Sequence, residues 1–506
     1  MTNFYYISKD LYESIRPSGS QCPKLYGLPK THKDGVPTRP ILDMSNSAQY
    51  KISKLLIKIL EPVSSKYSTF CIKDSFSFVE VIRKNAFLPS NMCSFDIKSL
   101  FTNVPVDETI NICLNELYNS GLTAPSIPKD VCLSMLNMAV KNVEFRFNSY
   151  IYKQIDGVAM GSPLGPILAN IFVGYFETLL FSKYEKPINY IRYVDDIFVS
   201  YNDEYNIEEL FSKISNLHPN LKFTIEKEKD NCLPFLDVHL LRTSSELLTT
   251  VYRKPTFAGQ YIPFQSFCPL SQKLGLISCL VFRAHKICSK KLFEEELDKI
   301  KNIFEALGYP SHIVRKTINN TISKFEKPVK FGPRKCPVYL RLPYLGKVAT
   351  ALEKTVKYTV NSTFNSVQLR ISHATRKPLN GICKDRTADQ EKSKIIYMYK
   401  CHCDSEYFGR TSQRFHIRRD QHVFNSLRRW MDTGLKKPSS RSSAIAEHLL
   451  NNSDCAKNYN DSNFSILSKA RNDYHLSVLE SLFIKTYKPK LCKQQYVYKS
   501  NLYKLL

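Results

Sequence analysis

The sequence predicts an α+β chain of more than one unit, and three observations carry that prediction. Short apolar runs end in acids and read as strands: Phe95-Asp96-Ile97 within NMCSFDIKSLFTNVP, and RYVDDIFVSY from Arg192 to Tyr201. Helical stretches alternate with them, one following a glycine-containing loop within 154–181 and another from about Ser271, where Leu274, Ile277, Val281, Ala284 and Ile287 recur at helical spacing. A fresh compact unit opens near Ile395, after a mixed, polar segment over 331–390. With 506 residues there is room for roughly three or four domains.

In chain order, QCPKLYGLPKTHKDGVPTRPILD at 21–43 is basic, punctuated by Pro and Gly, and expected to be poor in strands. Residues 91–105 give a short strand ending at Asp96. The loop from Asp156 contains Gly157 and Gly161, which permit close backbone approach. It leads into a helix for which Ser162 is the expected N-cap and Pro163 the expected first residue. The most apolar stretch, Pro163 to Phe181, contains Asn170 and Glu177, which suits a buried helix better than a membrane span. After the strand–Asp195–Asp196–strand unit, LKFTIEKEKDNCLPFLDVHLLR and ELLTTVYRKPT read as further strands.

Charge points to the partner. Lys+Arg number 72 against 46 Asp+Glu, a net charge of +26 that favours a polyanion such as nucleic acid. The N-terminus has no secretory pattern, so the 15 cysteines read as reduced and the location as intracellular, with the nucleus suiting a DNA substrate. Adjacent carboxylates such as Asp195 and Asp196 repel each other and resist burial, so a cation makes the arrangement sensible. If the Asp96 strand lies beside theirs, Asp96 and Asp195 converge into a hard-oxygen site that suits Mg²⁺ or Mn²⁺ and phosphate oxygens. Two such ions can activate a 3′-hydroxyl and stabilise a leaving pyrophosphate.

This set resembles a reverse transcriptase, with motif A at Asp96, motif B at Gly157 to Pro166 and motif C at Tyr193-Val194-Asp195-Asp196. More narrowly it resembles the Penelope-like retroelements. PKLYGLPKTHK at 23–33, RPI at 39–41, GVAMGSPLGP at 157–166, LPFLDV at 233–238 and VYRKPTF at 251–257 follow that family's pattern in order. The resemblance implies a right-hand polymerase: fingers over 1–90, expected to be truncated at the N-terminus, palm over 91–265, helical thumb over 266–330 and linker over 331–390. It implies Asp96 and Asp195 as direct metal ligands with Asp196 assisting, and Lys33 and Arg39 on the triphosphate of the incoming dNTP. Gly157 and Gly161 would face the nucleotide or template base, and Phe101 would be a gate against the ribose 2′-hydroxyl. Tyr252-Arg253-Lys254 would be the grip that positions the primer 3′ end. Taken as residues alone, Phe101 also fits a core aromatic, Arg39 a solvated loop charge and Tyr252–Lys254 a basic edge strand.

The last unit, over 391–500, resembles a GIY-YIG endonuclease, the small α/β nuclease that Penelope-like elements carry behind the polymerase. Ile395-Ile396-Tyr397 takes the place of the first triplet and Tyr407-Phe408-Gly409 the second. By that resemblance Glu480 holds a divalent metal, Arg418 stabilises phosphate, and Tyr397, Tyr407 and His422 assist attack by water. Two departures stand out: Ile395 replaces a glycine, and Cys492 lies where an asparagine is common. Cys401 and Cys403, with His422 and His448 as partners and His416 as a substitute, form a candidate Zn²⁺ site. His422 is thus claimed by zinc and by catalysis. Along 410–441, Arg410, Arg414, Arg418, Arg419, Arg428, Arg429, Lys436, Lys437 and Arg441 face only Asp420 and Asp432, which reads as a phosphate-contacting surface.

The implied function is the RNA-directed DNA polymerase of a retrotransposon. Its endonuclease would nick target DNA, and the polymerase would extend the freed 3′ end on the template RNA. One rival is a domesticated or decayed copy that binds nucleic acid without chemistry. Another is a polymerase whose GIY-YIG module is inert and only binds DNA.

Overall fold

The computed structural model describes residues 8–17, 20–30, 35–84, 88–122, 125–325, 335–364, 366–374, 388–434, 437–439 and 443–492. From the N-terminus come β1 (Lys24–Pro29), β2 (Thr38–Asp43), helix Gln49–Lys66 and β3 (Asn91–Ile97). Helices Val106–Asn119 and Lys129–Val140 precede β4 (Glu144–Phe147) and β5 (Tyr150–Lys153). Helix Gly165–Lys183 then leads to β6 (Asn189–Tyr193) and β7 (Asp196–Tyr201). The strands β8 (Phe223–Lys227), β9 (Cys232–Phe235), β10 (Val238–Arg242) and β11 (Leu247–Val251) complete this part.

The central sheet has the order β6-β7-β3-β8, with antiparallel neighbours. Its apolar residues face a core shared with four helices: Leu56 and Leu60, Ile110 and Cys113, Met135 and Leu136, Leu168 and Phe172 meet Phe95, Ile97, Ile197 and Val199. Burying each such side chain contributes on the order of 1.5–3 kcal/mol. Helix Gly165–Lys183 is long and apolar enough to cross a membrane by length and composition. Here Leu168, Ala169, Ile171 and Phe172 are fully buried in this core.

Two expectations change. The 21–43 segment is a hairpin, not strand-poor: β1 and β2 pair from Lys24↔Asp43 to Pro29↔Thr38 in a sheet ordered β2-β1-β4-β5. Proline is tolerated because Pro29 ends its strand and Pro40 lies on the edge strand β2. The apolar helix starts at Gly165, with Pro166 in its first turn, not at Pro163 after a Ser162 cap. Ser162 opens a tight turn instead: its carbonyl accepts from the Gly165 amide at 3.2 Å and its hydroxyl from the Leu164 amide at 3.3 Å.

Strands β9–β11 form a meander, order β11-β10-β9, on which three helices stand: Leu270–Ile287, Lys290–Ala306 and Ser311–Phe325. Of the predicted stripe, Ile277, Val281, Ala284 and Ile287 are buried and Leu274 is partly buried. The segment expected to be a linker is partly folded. β12 (Cys336–Pro343) and β13 (Val367–Ala374) pair in parallel across helix Lys347–Thr363. Parallel pairing needs a long crossover, and that helix supplies it.

The final unit has a sheet ordered β15-β14-β16, from β14 (Ile395–Lys400), β15 (Glu406–Thr411) and β16 (Phe464–Lys469). Helices Phe415–His422, Asn425–Thr433, Ala444–Asn451 and Asp473–Tyr487 surround it. Its core contains Tyr397, Tyr399, Val423, Leu427, Ile445 and Leu449, with Trp430, the single tryptophan of the chain, packed on it.

Candidate active sites

The acids of the central sheet converge. Asp96 faces Asp196 across the β3–β7 pair, and the Ile97 amide donates to the Asp195 carbonyl at 2.9 Å. Burial, together with the neighbouring Asp96 carboxylate, pushes Asp195 above the usual carboxylate range, while Arg39 and Lys30 pull it back. Crowded acids of this kind have the hard-oxygen character that a divalent cation satisfies. Arg39, exposed on β2, acts on the Asp195 charge. Lys33 lies outside the described residues.

The turn bearing Asp195 is strained. Tyr193 pairs with Asp196, so Val194 and Asp195 are the two turn residues, and Val194 has φ +57°. That conformation is rare for a β-branched residue and persists only where surroundings enforce it. Arg192 enforces it. Its side chain is fully buried and its Nη1 donates to the Val194 carbonyl at 3.2 Å and to Asn170 Oδ1 at 3.0 Å. Its Nε donates to Glu177 Oε1 at 2.8 Å, and the Tyr190 hydroxyl donates to the same oxygen at 2.9 Å. Sequence reasoning missed this network. The signal was an acid and a base each isolated in an apolar run, since buried charges are normally paired.

The glycine loop is seated on both neighbours. Gly161 has φ +117°, and a Cβ there would lie 2.0 Å from the Leu42 carbonyl oxygen of β2, the strand that carries Arg39. Gly157 has φ +75°, and a Cβ there would lie 2.6 Å from the Thr102 carbonyl oxygen. The Val158 amide donates to the Phe101 carbonyl at 2.7 Å, and the half-buried Phe101 ring approaches Gly165.

The expected primer grip is divided. Tyr252 continues β11, its amide donating to the Asp237 carbonyl at 2.9 Å, and Lys254 is exposed. Arg253 is committed elsewhere. Its guanidinium takes both oxygens of Glu296, which is 2% exposed on helix Lys290–Ala306, with the Nη1–Oε2 bond at 2.8 Å. It therefore ties the helices to the meander, since a bidentate pair uses the fork a phosphate would need.

In the last unit, Tyr397 pairs with Gly409 across β14 and β15. A Cβ on Gly409 would lie 2.6 Å from the Tyr397 hydroxyl oxygen and 2.7 Å from the Tyr407 ring, so only glycine fits. The buried Tyr397 hydroxyl accepts from Arg418 Nε at 3.2 Å and donates to His422 Nε2 at 2.6 Å, while His422 Nδ1 reaches the Ser443 hydroxyl at 2.7 Å. Burial, then the Arg418 charge, push His422 down to about 3, so it is neutral and its Nε2 accepts the tyrosine hydrogen bond. Glu480 faces this group from helix Asp473–Tyr487. Burial pushes its carboxyl up, against Arg410 and Arg418, and Arg410 Nε pairs with it at 3.0 Å. Cys492 Sγ donates to the Phe408 carbonyl at 3.2 Å and accepts from the Phe408 amide at 3.3 Å. An asparagine amide offers the same donor and acceptor pair.

The structure separates the two claims on His422. Cys401, Cys403, His448 and Cys455 place one ligand atom each within 4.8 Å of one another. His448 Nε2 lies 3.2 Å from Cys401 Sγ and 3.4 Å from Cys403 Sγ. His422 is held by Tyr397 and Ser443, and His416 by the Gln390 carbonyl at 3.0 Å. Cys455 went unnoticed in the sequence because it is 52 residues beyond Cys403, outside any usual zinc spacing. Three thiols and one imidazole suit a tetrahedral zinc site.

The basic stripe is largely spent internally. Arg414 pairs with Glu391 at 3.2 Å, and Arg419 and Arg428 each reach Asp461 at 3.0 Å. Arg428 also reaches Asp420 at 3.2 Å. These acids lie mostly outside the 410–441 window, which is why the sequence count overstated the free charge. Arg429 is exposed; Lys436 and Arg441 lie outside the described residues.

Residues 31–240 match the reverse transcriptase (RNA-dependent DNA polymerase) family, so the chain carries a reverse transcriptase domain. Residues 260–319, which span the first two helices above the meander and part of the third, match the animal helix-turn-helix domain. No curated protein matches. Among solved structures, apo telomerase from Candida tropicalis truncated from its C-terminal domain aligns at 13% identity and TM-score 0.35, covering 45% of this chain and 54% of that one. Telomerase from Candida albicans with a fragment of telomeric RNA aligns at 12% identity and TM-score 0.38, covering 63% and 65%. The Sicinivirus RNA-dependent RNA polymerase aligns at 12% identity and TM-score 0.37, covering 62% and 71%. The chain thus spans between about half and two thirds of the length of these telomerases.

Proposed function

We propose that this chain is the RNA-directed DNA polymerase of a Penelope-like retroelement, with a C-terminal GIY-YIG endonuclease that nicks target DNA to supply the primer. The observation that carries the polymerase reading is the register of β3 on β7, which brings Asp96 opposite Asp196 and beside Asp195 at one end of the sheet. Asp96 and Asp195 are the residues that would hold Mg²⁺ or Mn²⁺. Bound there, the ion supplies Lewis-acid stabilisation of the attacking 3′-hydroxyl and the leaving pyrophosphate. Arg39 offers a fork to the triphosphate of the incoming dNTP. Gly161 lets the loop lie against β2, the strand whose Arg39 acts on the Asp195 charge. Phe101, beside that loop, would exclude a ribose 2′-hydroxyl.

In the nuclease unit, Glu480 would hold the divalent ion. Tyr397, held by its hydrogen bond to neutral His422, would orient the attacking water, and Arg418 would balance phosphate charge. Cys401, Cys403, His448 and Cys455 would hold a structural Zn²⁺ that ties the loop after β14 to the helix Ala444–Asn451. Template RNA, target DNA with its primer 3′ end, and dNTPs are the partners this reading requires, and the nucleus is where they meet. A second reading, an inert nuclease that only binds DNA, is favoured by the Arg410–Glu480 ion pair, which occupies the metal-binding acid.

One experiment separates them. Asp195→Asn should abolish RNA-templated extension while nucleic-acid binding persists. Glu480→Ala should abolish nicking of intact duplex yet leave extension from a pre-nicked target nearly at the wild-type rate. Wild-type protein that extends primers but never nicks duplex DNA with Mg²⁺ or Mn²⁺ decides for the inert module.

A further inference from the structure

A cleft of about 680 Å³ lies between the polymerase and the nuclease unit. Its walls come from the segments before β1 and after β2, the start of helix Gln49–Lys66, the entry to β14 and the end of β16. Five of its residues are cations, Lys51, Lys54, Lys394, Lys469 and Arg471, against one acid, Asp473. Asp473 is partly engaged, accepting from the Ser412 hydroxyl at 3.1 Å. Partial desolvation, then the charge of Lys392, push the Lys469 ammonium down, so like charges crowd this wall. Lys394 has φ +53°, a conformation a lysine seldom adopts, and its carbonyl is fixed by the Ala470 amide at 2.7 Å. Lys54 is held over the Tyr50 ring, 4.7 Å from its centroid. Uncompensated cations beside an aromatic ring are the elements of a single-strand nucleic-acid site.

The cleft is also joined to each of the two centres by one element of the chain. Helix Asp473–Tyr487 begins at the cleft and carries Glu480 two turns on, about 10 Å by the helical rise. On the other side, Ser45 and Asn46 follow directly on β2, the strand that carries Arg39. The Tyr50 ring among its cations favours the unstacked bases of one strand over a duplex.

We propose that this cleft binds a single polynucleotide strand by its phosphate backbone, as the passage between the nuclease and polymerase centres. The passage role rests on the two-centre reading above; the binding does not. The test is lysine footprinting of the full chain with an acetylating reagent, read by mass spectrometry, with and without a saturating 20-nucleotide strand. Lys54, Lys394 and Lys469 should acetylate several-fold more slowly with the strand, and the protection should vanish at high salt. Matched DNA and RNA strands show which polynucleotide the cleft takes. The same protection is expected in the Asp195→Asn/Glu480→Ala protein, so a failure of either catalytic assignment leaves this result standing. Equal acetylation rates with and without strand, or protection by duplex alone, would overturn the proposal. As a second measurement, Lys54→Gln/Lys394→Gln/Lys469→Gln should lower the salt-dependence slope of single-strand binding by about 0.7 per lysine. The corresponding triple Arg variant should keep it, and an unchanged slope in the Gln variant counts against the site.

Discussion

Arg192 and Glu177 form an ion pair of 2.8 Å with both side chains shut off from solvent, directly beneath the turn that presents Asp195. The pair spans two elements, helix Gly165–Lys183 and strand β6, and so couples the core beneath the central sheet to the acid turn. Glu177→Ala leaves an uncompensated buried guanidinium, which should cost about 3–5 kcal/mol of stability. Urea unfolding should show that loss. Primer extension should fall as well, because Val194 loses the support for its left-handed backbone. A Glu177→Ala protein with wild-type stability would show the pair to be dispensable.

Zinc should follow Cys455 rather than His422. Metal analysis of the full chain should find about one zinc per molecule. Cys455→Ser and Cys403→Ser should each lower that occupancy and the melting temperature reported by Trp430 fluorescence, since metal binding contributes to folding. His422→Gln should retain the zinc. Loss of zinc in the His422 variant, with retention in the Cys455 variant, would restore the other ligand set.

The stability of the C-terminal unit should depend on pH through His422. Its folded value is about 3 against an ordinary 6.5, so the unfolded chain binds the proton first. The stabilisation is fully present above pH 6.5 and is lost as pH falls from there toward 3, by at most about 1.4 kcal/mol per pH unit. Trp430 fluorescence during denaturation at a series of pH values reads this slope. His422→Gln should flatten it; an identical slope in the variant would place the titration elsewhere.

Arg428 and Arg429 should behave differently although they are neighbours. Arg428 bonds Asp420, Asp461 and the Val423 carbonyl and lies over the Tyr459 ring, so Arg428→Gln should lower the melting temperature of the unit. Arg429→Gln should leave melting unchanged. If Arg429 touches a DNA phosphate, its removal should reduce the salt slope of duplex binding by about 0.9. Equal effects of the two substitutions on melting would contradict the assigned partners.

Much of the fold was readable where the sites are. The acids at strand ends, the glycine loop before an apolar helix and the two tyrosine runs are each common features taken singly, and it is their order along the chain that made them readable. The 21–43 hairpin was not readable, because prolines that forbid a central strand are harmless on an edge. The fold within 331–390 was not readable either, since β12 and β13 pair across a helix and show little apolar alternation.

By itself the sequence determined which groups are present: two adjacent aspartates between apolar runs, a third on another strand, a glutamate in a second unit, and thiols near histidines. Covalent order is enough for that. Only the tertiary structure decided which groups are neighbours. It gave His448 and Cys455 to Cys401 and Cys403, His422 to Tyr397, Arg253 to Glu296 and Arg428 to Asp461. Each of these choices depends on packing between segments distant in the chain, where burial makes an unpaired charge or polar atom too costly and so selects its partner.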